Sequence, residues 1–173
     1  GIANLTQRKQ AEDAQRRQEK LLRAVTEAGS LLLTQRDGID PIPATLRLIG
    51  AAMGADRGNV VETHAAPDGP GSLATLRHEW CADGVESFLG KEESVNAPWE
   101  QLLPRWYETL SAGRAFTSTI DEAKGTERTW LARRKVVSLI ALPIQVDGCL
   151  WGFVGFCDTR APRRWAEGES EVL

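Results

Sequence analysis

The sequence predicts an α+β fold, a central antiparallel sheet flanked by helices with a long helix leading into it, and three observations carry that prediction. Asn4, Gln7, Ala11, Ala14, Gln18, Leu21, Val25, Ala28 and Leu32 recur at alternating steps of three and four, the period of a helix with one sticky stripe. Strand-like stretches follow, "GNVVETH", "SLATLRHEWCA", "RAFTSTI" and "SLIALPIQVDGCLWGFVGF", rich in β-branched and alternating residues. They are linked by turns and short helices, in the order helix, helix, two strands, helical crossing, strand, helix, hairpin, helix. A chain of 173 residues, 42% apolar and 26% charged, suffices for one good core and is short for two.

The first helix carries Glu12/Arg16, Asp13/Arg17 and Glu19/Arg23, each acid four residues before its base, the favourable order for helical pairs. Gly38 is expected to end it. Asp40 then offers an N-cap and Pro41 a first helical position, and Ile42, Leu46, Ile49 and Met53 form one apolar face that Gly54 closes. "APDGPGS" separates the first two strands, and "DGVESFLGKEESVNA" reads as a mobile polar stretch suited to a lid. "PWEQLLPRWYETLSAG" reads as two short helical turns, because Pro104 opens a helix and cannot sit inside one. "TERTWLARRK" makes a further helix with its basic end at the C-terminus, where the dipole favours it. Asp147-Gly148 is the pair a tight primed hairpin turn prefers. "RRWAEGESEVL" begins a last helix that stops at Leu173 in mid-pattern, so a longer parent is expected.

The order of elements, together with "SLIALPIQVDGCLWGFVGF" followed by "RRW", resembles the GAF domain of bacterial signalling proteins. "HEWCADGVE" and "LPRWYETLSAG" are similar to segments of GAF domains in sensor kinases and cyclic-di-GMP enzymes. The resemblance covers roughly residues 20 to 173 and implies that Gly152 and Gly155, in a strand interior, serve close packing of the central sheet. Upstream, "GIANLTQRKQAEDAQRR" is similar to the exit of a PAS domain. The implied division is a PAS-exit-like linker and signalling helix over residues 1–20 and a GAF domain, its last helix truncated, over 21–173, in a parent ordered PAS, GAF, output.

Several chemistries are disfavoured. A net charge of −3 provides no basic footprint for nucleic acid or an anionic membrane, and no apolar run approaches the roughly 20 residues of a bilayer span. Cys81, Cys149 and Cys157 form no CxxC pair, the usage of a reducing compartment, so a cytoplasmic location is expected. Cys149 and Cys157 sit about 26 Å apart on one strand at roughly 3.3 Å per residue, too far for one to resolve the other. Thiol-dependent reduction of methionine sulfoxide, known in one branch of the family resembled, is therefore the least favoured reading. No phosphate loop or cyclic-nucleotide pattern is present, and His64, His78 and Cys81 lack metal-ligand spacing. The bilin-binding members resembled place a cysteine on the helix before the last hairpin. "TERTWLARRK" has none, which argues against a covalent bilin, and haem is not expected either, because a lone strand histidine such as His64 or His78 is more often a hydrogen-bonded structural residue.

What remains is a wall of large rings. Arg77, His78, Trp80, Trp106, Phe116 and Trp130 are the candidate pocket, on the sheet face bearing His78 and Trp80 and roofed by the helices of Trp106 and Trp130, against the plainer reading of a packed core. Leu21, Val25, Ala28 and Leu32 are the candidate grip of a parallel homodimer, assisted by the helix near Trp165. The expected function is a non-catalytic sensory domain, with no assigned cofactor and an unidentified small-molecule ligand. Its output is expected to be a histidine kinase, with a diguanylate cyclase or phosphodiesterase as the alternative and a ligand-free dimerisation spacer as the rival class.

Overall fold

A computed structural model of the chain describes residues 1–34, 38–162 and 165. Helix α1 runs Ile2–Leu33, about 48 Å at 1.5 Å per residue, and α2 runs Ile42–Met53. Strands β1 (Arg57–Ala65) and β2 (Ser72–Cys81) follow, then a single 3-10 turn at Glu92–Ser94. Helices α3 (Trp99–Leu102) and α4 (Pro104–Ser111) precede β3 (Phe116–Thr119), α5 (Gly125–Arg133), β4 (Ser138–Val146) and β5 (Cys149–Asp158). The strands form one sheet in the order β2-β1-β5-β4-β3, each pair antiparallel. The α+β expectation is met.

Local signals account for the boundaries. Asp147 and Gly148 both have positive φ, at 51° and 77°, as a type I′ turn between β4 and β5 requires. Pro104 opens α4, and Gly54 closes α2 in the left-handed conformation. The start of α2 falls one residue later than expected, with Pro41 at the N-cap and Asp40 before it, its Oδ1 accepting from the Ile42 backbone N–H at 3.0 Å. Helix α1 stops at Leu33, before Gly38, with Thr34 turning its hydroxyl back onto the Ser30 carbonyl. The last predicted helix falls outside the described residues except for Trp165, which is buried.

The sheet separates two apolar layers. On one face, Leu21 of α1 and Leu46 and Met53 of α2 pack with Ile140, Phe156 and Trp165. On the other, Trp99 of α3, Leu103 at the junction, and Trp106 and Leu110 of α4 pack with Leu131, Leu139 and Phe153. Full burial of each such side chain contributes roughly 1.5–3 kcal/mol. Residues 1–20 of α1 are all exposed, and burial along the helix starts at Leu21. The stripe nominated for a dimer is thus largely consumed within the chain: Leu21 and Ala28 are buried and Val25 half-buried on the α1/α2 face, while Leu32 stays exposed.

Candidate functional site

Between the sheet and helices α3–α5 lies a cavity of ≈ 70 Å³, room for a few waters or one small organic molecule. Its floor is made by the residues of β1, β4 and β5 that point away from α1 and α2, among them Asn59, Val61, Ala141, Phe153 and Gly155. Its walls are Trp99, Trp106 and Trp130. The rings set one another: Trp99 lies 5.5 Å from Phe153, and Trp106 meets Trp130 edge-on at 5.3 Å, both within the favourable range for aromatic pairs. Glu127 of α5, buried, accepts from Trp106 Nε1 at 3.3 Å and from Arg105 at 3.0 Å, which fixes the roof.

One end of the cavity is polar. Arg57, 3% exposed, and Arg134, 8%, both line the cavity there. Arg57 donates to the carbonyls of Arg134 (3.1 Å) and Glu86 (2.7 Å), while Arg134 donates to the Glu93 carbonyl and Ser94 Oγ. Both guanidinium groups stand over the Phe88 ring, and Arg134 also over Trp130 at 4.1 Å, a cation–π arrangement that offsets part of the desolvation. Burial pushes the Arg134 pKa down to about 10. Glu79, its side chain 2% exposed, turns one oxygen to the backbone N–H groups of Phe88 and Leu89 and to Ser87 Oγ; the other lies 3.8 Å from Arg57 Nε. These bonds pin the segment expected to be a mobile lid, with Phe88 buried beneath the cations. Arg57 Nε and Asn59 Oδ1 are both buried without a hydrogen-bond partner.

The sequence-predicted pocket residues divide. Trp106 and Trp130 line the cavity, and Phe116 stands behind Trp106 at 5.1 Å as support. Arg77, His78 and Trp80 are elsewhere, which corrects their assignment to a pocket. The strand pairing slips between Val60 and Val61, leaving Arg77 as the bulged residue opposite them, exposed and paired with Glu62. His78 and Trp80 share a face, as expected, but it is the α2 face: His78 Nδ1 meets Asp40 at 2.9 Å, and Trp80 covers Gly50, where an added Cβ would fall 2.5 Å from the ring. Their strand neighbours Leu76 and Glu79 reach the cavity instead. Arg57, Asn59, Glu79 and Arg134 were missed. The available signal was the step of two in Arg57, Asn59 and Val61, which sets two polar groups beside an apolar one on a single face of a buried strand.

The thiols are not poised for chemistry. Burial pushes Cys157, on the cavity wall, up to about 12, and burial with the nearby Glu79 carboxylate pushes Cys81 up to about 11. Cys149 is exposed at the hairpin. Among the described residues no helix is long and apolar enough to cross a membrane.

The family model for the GAF domain matches residues 37–173. The methanogenesis regulatory histidine kinase FilI of Methanothrix harundinacea (strain 6Ac) is 33% identical over 174 residues, covering 100% of this chain and 19% of the kinase. Among solved structures, the phycocyanobilin-bound GAF domain of a cyanobacterial phytochrome superposes with a TM-score of 0.66 at 22% identity, covering 90% of this chain and 86% of that one. The chromophore-binding domain of Stigmatella aurantiaca bacteriophytochrome gives 0.68 at 15%, covering 88% and 55%. At such identities these two carry the fold alone.

Proposed function

The chain belongs to the GAF domain family, and we propose that it is the non-catalytic sensory domain of a signal-transduction histidine kinase, reading a small molecule held in the cavity under α3–α5. The kinase reading rests on the likeness to FilI, of which this chain spans 19%. The observation that carries the sensory reading is the separation of the two faces. The cavity occupies one side of the sheet, while α1 and Trp165, on the routes into and out of the domain, pack on the other. A ligand that shifts the sheet therefore acts on both routes at once.

A covalent bilin does not suit these residues. Attachment needs a reactive thiol at the cavity, and of the three cysteines only Cys157 lines it, with its thiol held neutral by burial. The reading includes a cytoplasmic homodimer joined along α1, linked to an upstream PAS domain and a downstream output domain. With Leu21, Val25 and Ala28 engaged by the chain's own core, the surface left for a partner is the exposed first twenty residues, with Ile2 and Leu5, and beyond them Leu22, Leu31, Leu32 and Leu33.

Native mass spectrometry of the purified chain, with absorption spectra taken alongside, tests the proposal. A retained or titratable small molecule is the expected result. A protein that takes up nothing from a metabolite panel makes the domain a dimerisation spacer.

A further inference from the structure

We propose that the cavity takes a small apolar carboxylate, its anionic head between Arg57 and Arg134 and its hydrocarbon body among Trp99, Trp106 and Phe153. This rests on the sensory reading and names the ligand class. Buried charges in proteins are paired and hydrogen-bonded, because desolvation of an isolated ion is costly. Here two guanidinium groups are 3% and 8% exposed, yet among the described residues neither donates a hydrogen bond to a carboxylate. Their bonds go to three carbonyls and one hydroxyl.

The two acids nearby are occupied elsewhere. Glu79 satisfies the 87–89 segment and stays 3.8 Å from Arg57 Nε, beyond hydrogen-bond range. Glu93 offers Arg134 its backbone carbonyl and turns its carboxylate outward to Arg133 at 3.4 Å. Arg57 Nε, buried, feels the Glu79 carboxylate at 3.8 Å but makes no hydrogen bond among the described residues, which leaves a donor free for an acceptor. Asn59 stands two residues along the same strand face and lines the cavity, and it is the N–H of its side-chain amide that can donate to a carboxylate there.

The remaining wall selects among anions. Trp99, Trp106, Phe153, Leu139 and Ala141 offer almost no polar atoms to the space, so a fully hydrated inorganic anion would leave most of it unfilled. A molecule with one planar anionic end, matched to the guanidinium fork, and an apolar remainder fills both parts. The volume of ≈ 70 Å³ limits it to a short branched or monocyclic acid.

Thermal-shift and calorimetric titration of the 173-residue chain with benzoate, isovalerate, benzamide and inorganic phosphate decides it. Benzoate or isovalerate is expected to raise Tm in a dose-dependent way, and benzamide, of nearly the same shape without the charge, is not. Arg134→Gln is expected to weaken the acid about tenfold or more, as loss of one partner of a buried charge pair does. Should that variant fail to fold, Asn59→Ala, which removes no charge, is expected to weaken it about threefold or more, the scale of one hydrogen bond. Equal shifts from benzoate and benzamide, or a shift from phosphate alone, overturn the proposal. A neutral molecule retained through purification overturns it while leaving the sensory reading standing, and a chain that binds none of these probes nor any metabolite ends both.

Discussion

Gly152 and Gly155 lie three residues apart on β5, and a methyl group added to each would meet different atoms. At Gly152 it would fall 2.1 Å from the Val61 carbonyl oxygen, part of the neighbouring backbone, so the strands themselves would have to separate. At Gly155 it would fall 2.7 Å from Asn59 Oδ1, the end of a side chain that can rotate. Gly152→Ala is expected to cost about 3 kcal/mol or more and Gly155→Ala about 1 kcal/mol or less, read from urea midpoints, with the second change narrowing the cavity. Near-equal losses would mean that Asn59 is as immovable as backbone. The cysteines give a second residue-scale prediction. With thiol pKa values of about 11 at Cys81 and about 12 at Cys157, about a thousandth or less of either is thiolate at pH 8. Iodoacetamide is expected to label Cys149 alone in the native chain. Where Cys81 is reached, its rate should climb about tenfold per pH unit between 8 and 10, because a raised pKa leaves the thiolate fraction still rising there. Prompt labelling of Cys157 at pH 8, followed by mass spectrometry, would contradict this.

The elements were more legible than their partners. Helices α2, α4 and α5 and the β4–β5 hairpin follow from caps, prolines and one Asp-Gly turn, all local signals. What sequence periodicity could not supply was the face each element presents, and the two misplacements share that cause. The bulge at Arg77 shifts the alternation of β2 by one, so that Leu76 and Glu79, three residues apart, reach the same side, and which side carries the cavity is decided by where α3–α5 dock, a long-range choice. The stripe on α1 is likewise real, and its second half, Leu21 to Ala28, packs within the chain against α2, while residues 1–20 stay exposed. Leu21→Asp is therefore expected to destabilise the monomer by about 3 kcal/mol or more, a charge placed in a dry core. Leu22→Asp with Leu33→Asp should leave the melting temperature nearly unchanged, since both residues are exposed and lie within about 20° of each other around the helix. If α1 joins two copies, sedimentation of this second variant shifts toward the monomer. An unchanged dimer places the interface elsewhere, and a wild-type monomer at high concentration removes the dimer.

At the scale of the whole molecule, cavity and exit are separated by one peptide bond. Arg57 faces the cavity, and its neighbour Asp56, fully buried, holds the chain as it leaves β5. The Asp56 carboxylate accepts from the Thr159 backbone N–H at 3.0 Å and the Thr159 hydroxyl at 2.7 Å, and pairs with Arg160 Nε at 3.1 Å. The Asp56 backbone N–H in turn donates to Cys157, and its carbonyl accepts from Ala82, so the residue is tied on both sides at the sheet's end. A ligand that draws Arg57 toward the cavity must strain this latch, because the two side chains leave one short stretch of strand in opposite directions. Coupling of this kind requires an element with two arrangements of similar energy, and the connector after Asp158, held by a few bonds to the carboxylates of Asp56 and Asp158, is a short segment suited to that role. Asp56→Ala removes the acceptor and leaves the Thr159 donors bare. Hydrogen exchange at the Thr159 amide is expected to quicken by about tenfold or more, as the loss of charge-assisted bonds implies, and the Arg160 amide, held by Asp158 Oδ1 at 2.8 Å, is expected to change less. The β4 amides inside the sheet should keep their protection. In the full-length protein the same change should sever ligand control of the output while leaving cavity binding within about twofold, since Asp56 touches no ligand. Exchange that rises equally across β4 would show Asp56 to be a support of the whole sheet, and a variant that still transmits the ligand signal would place the route out through α1 instead.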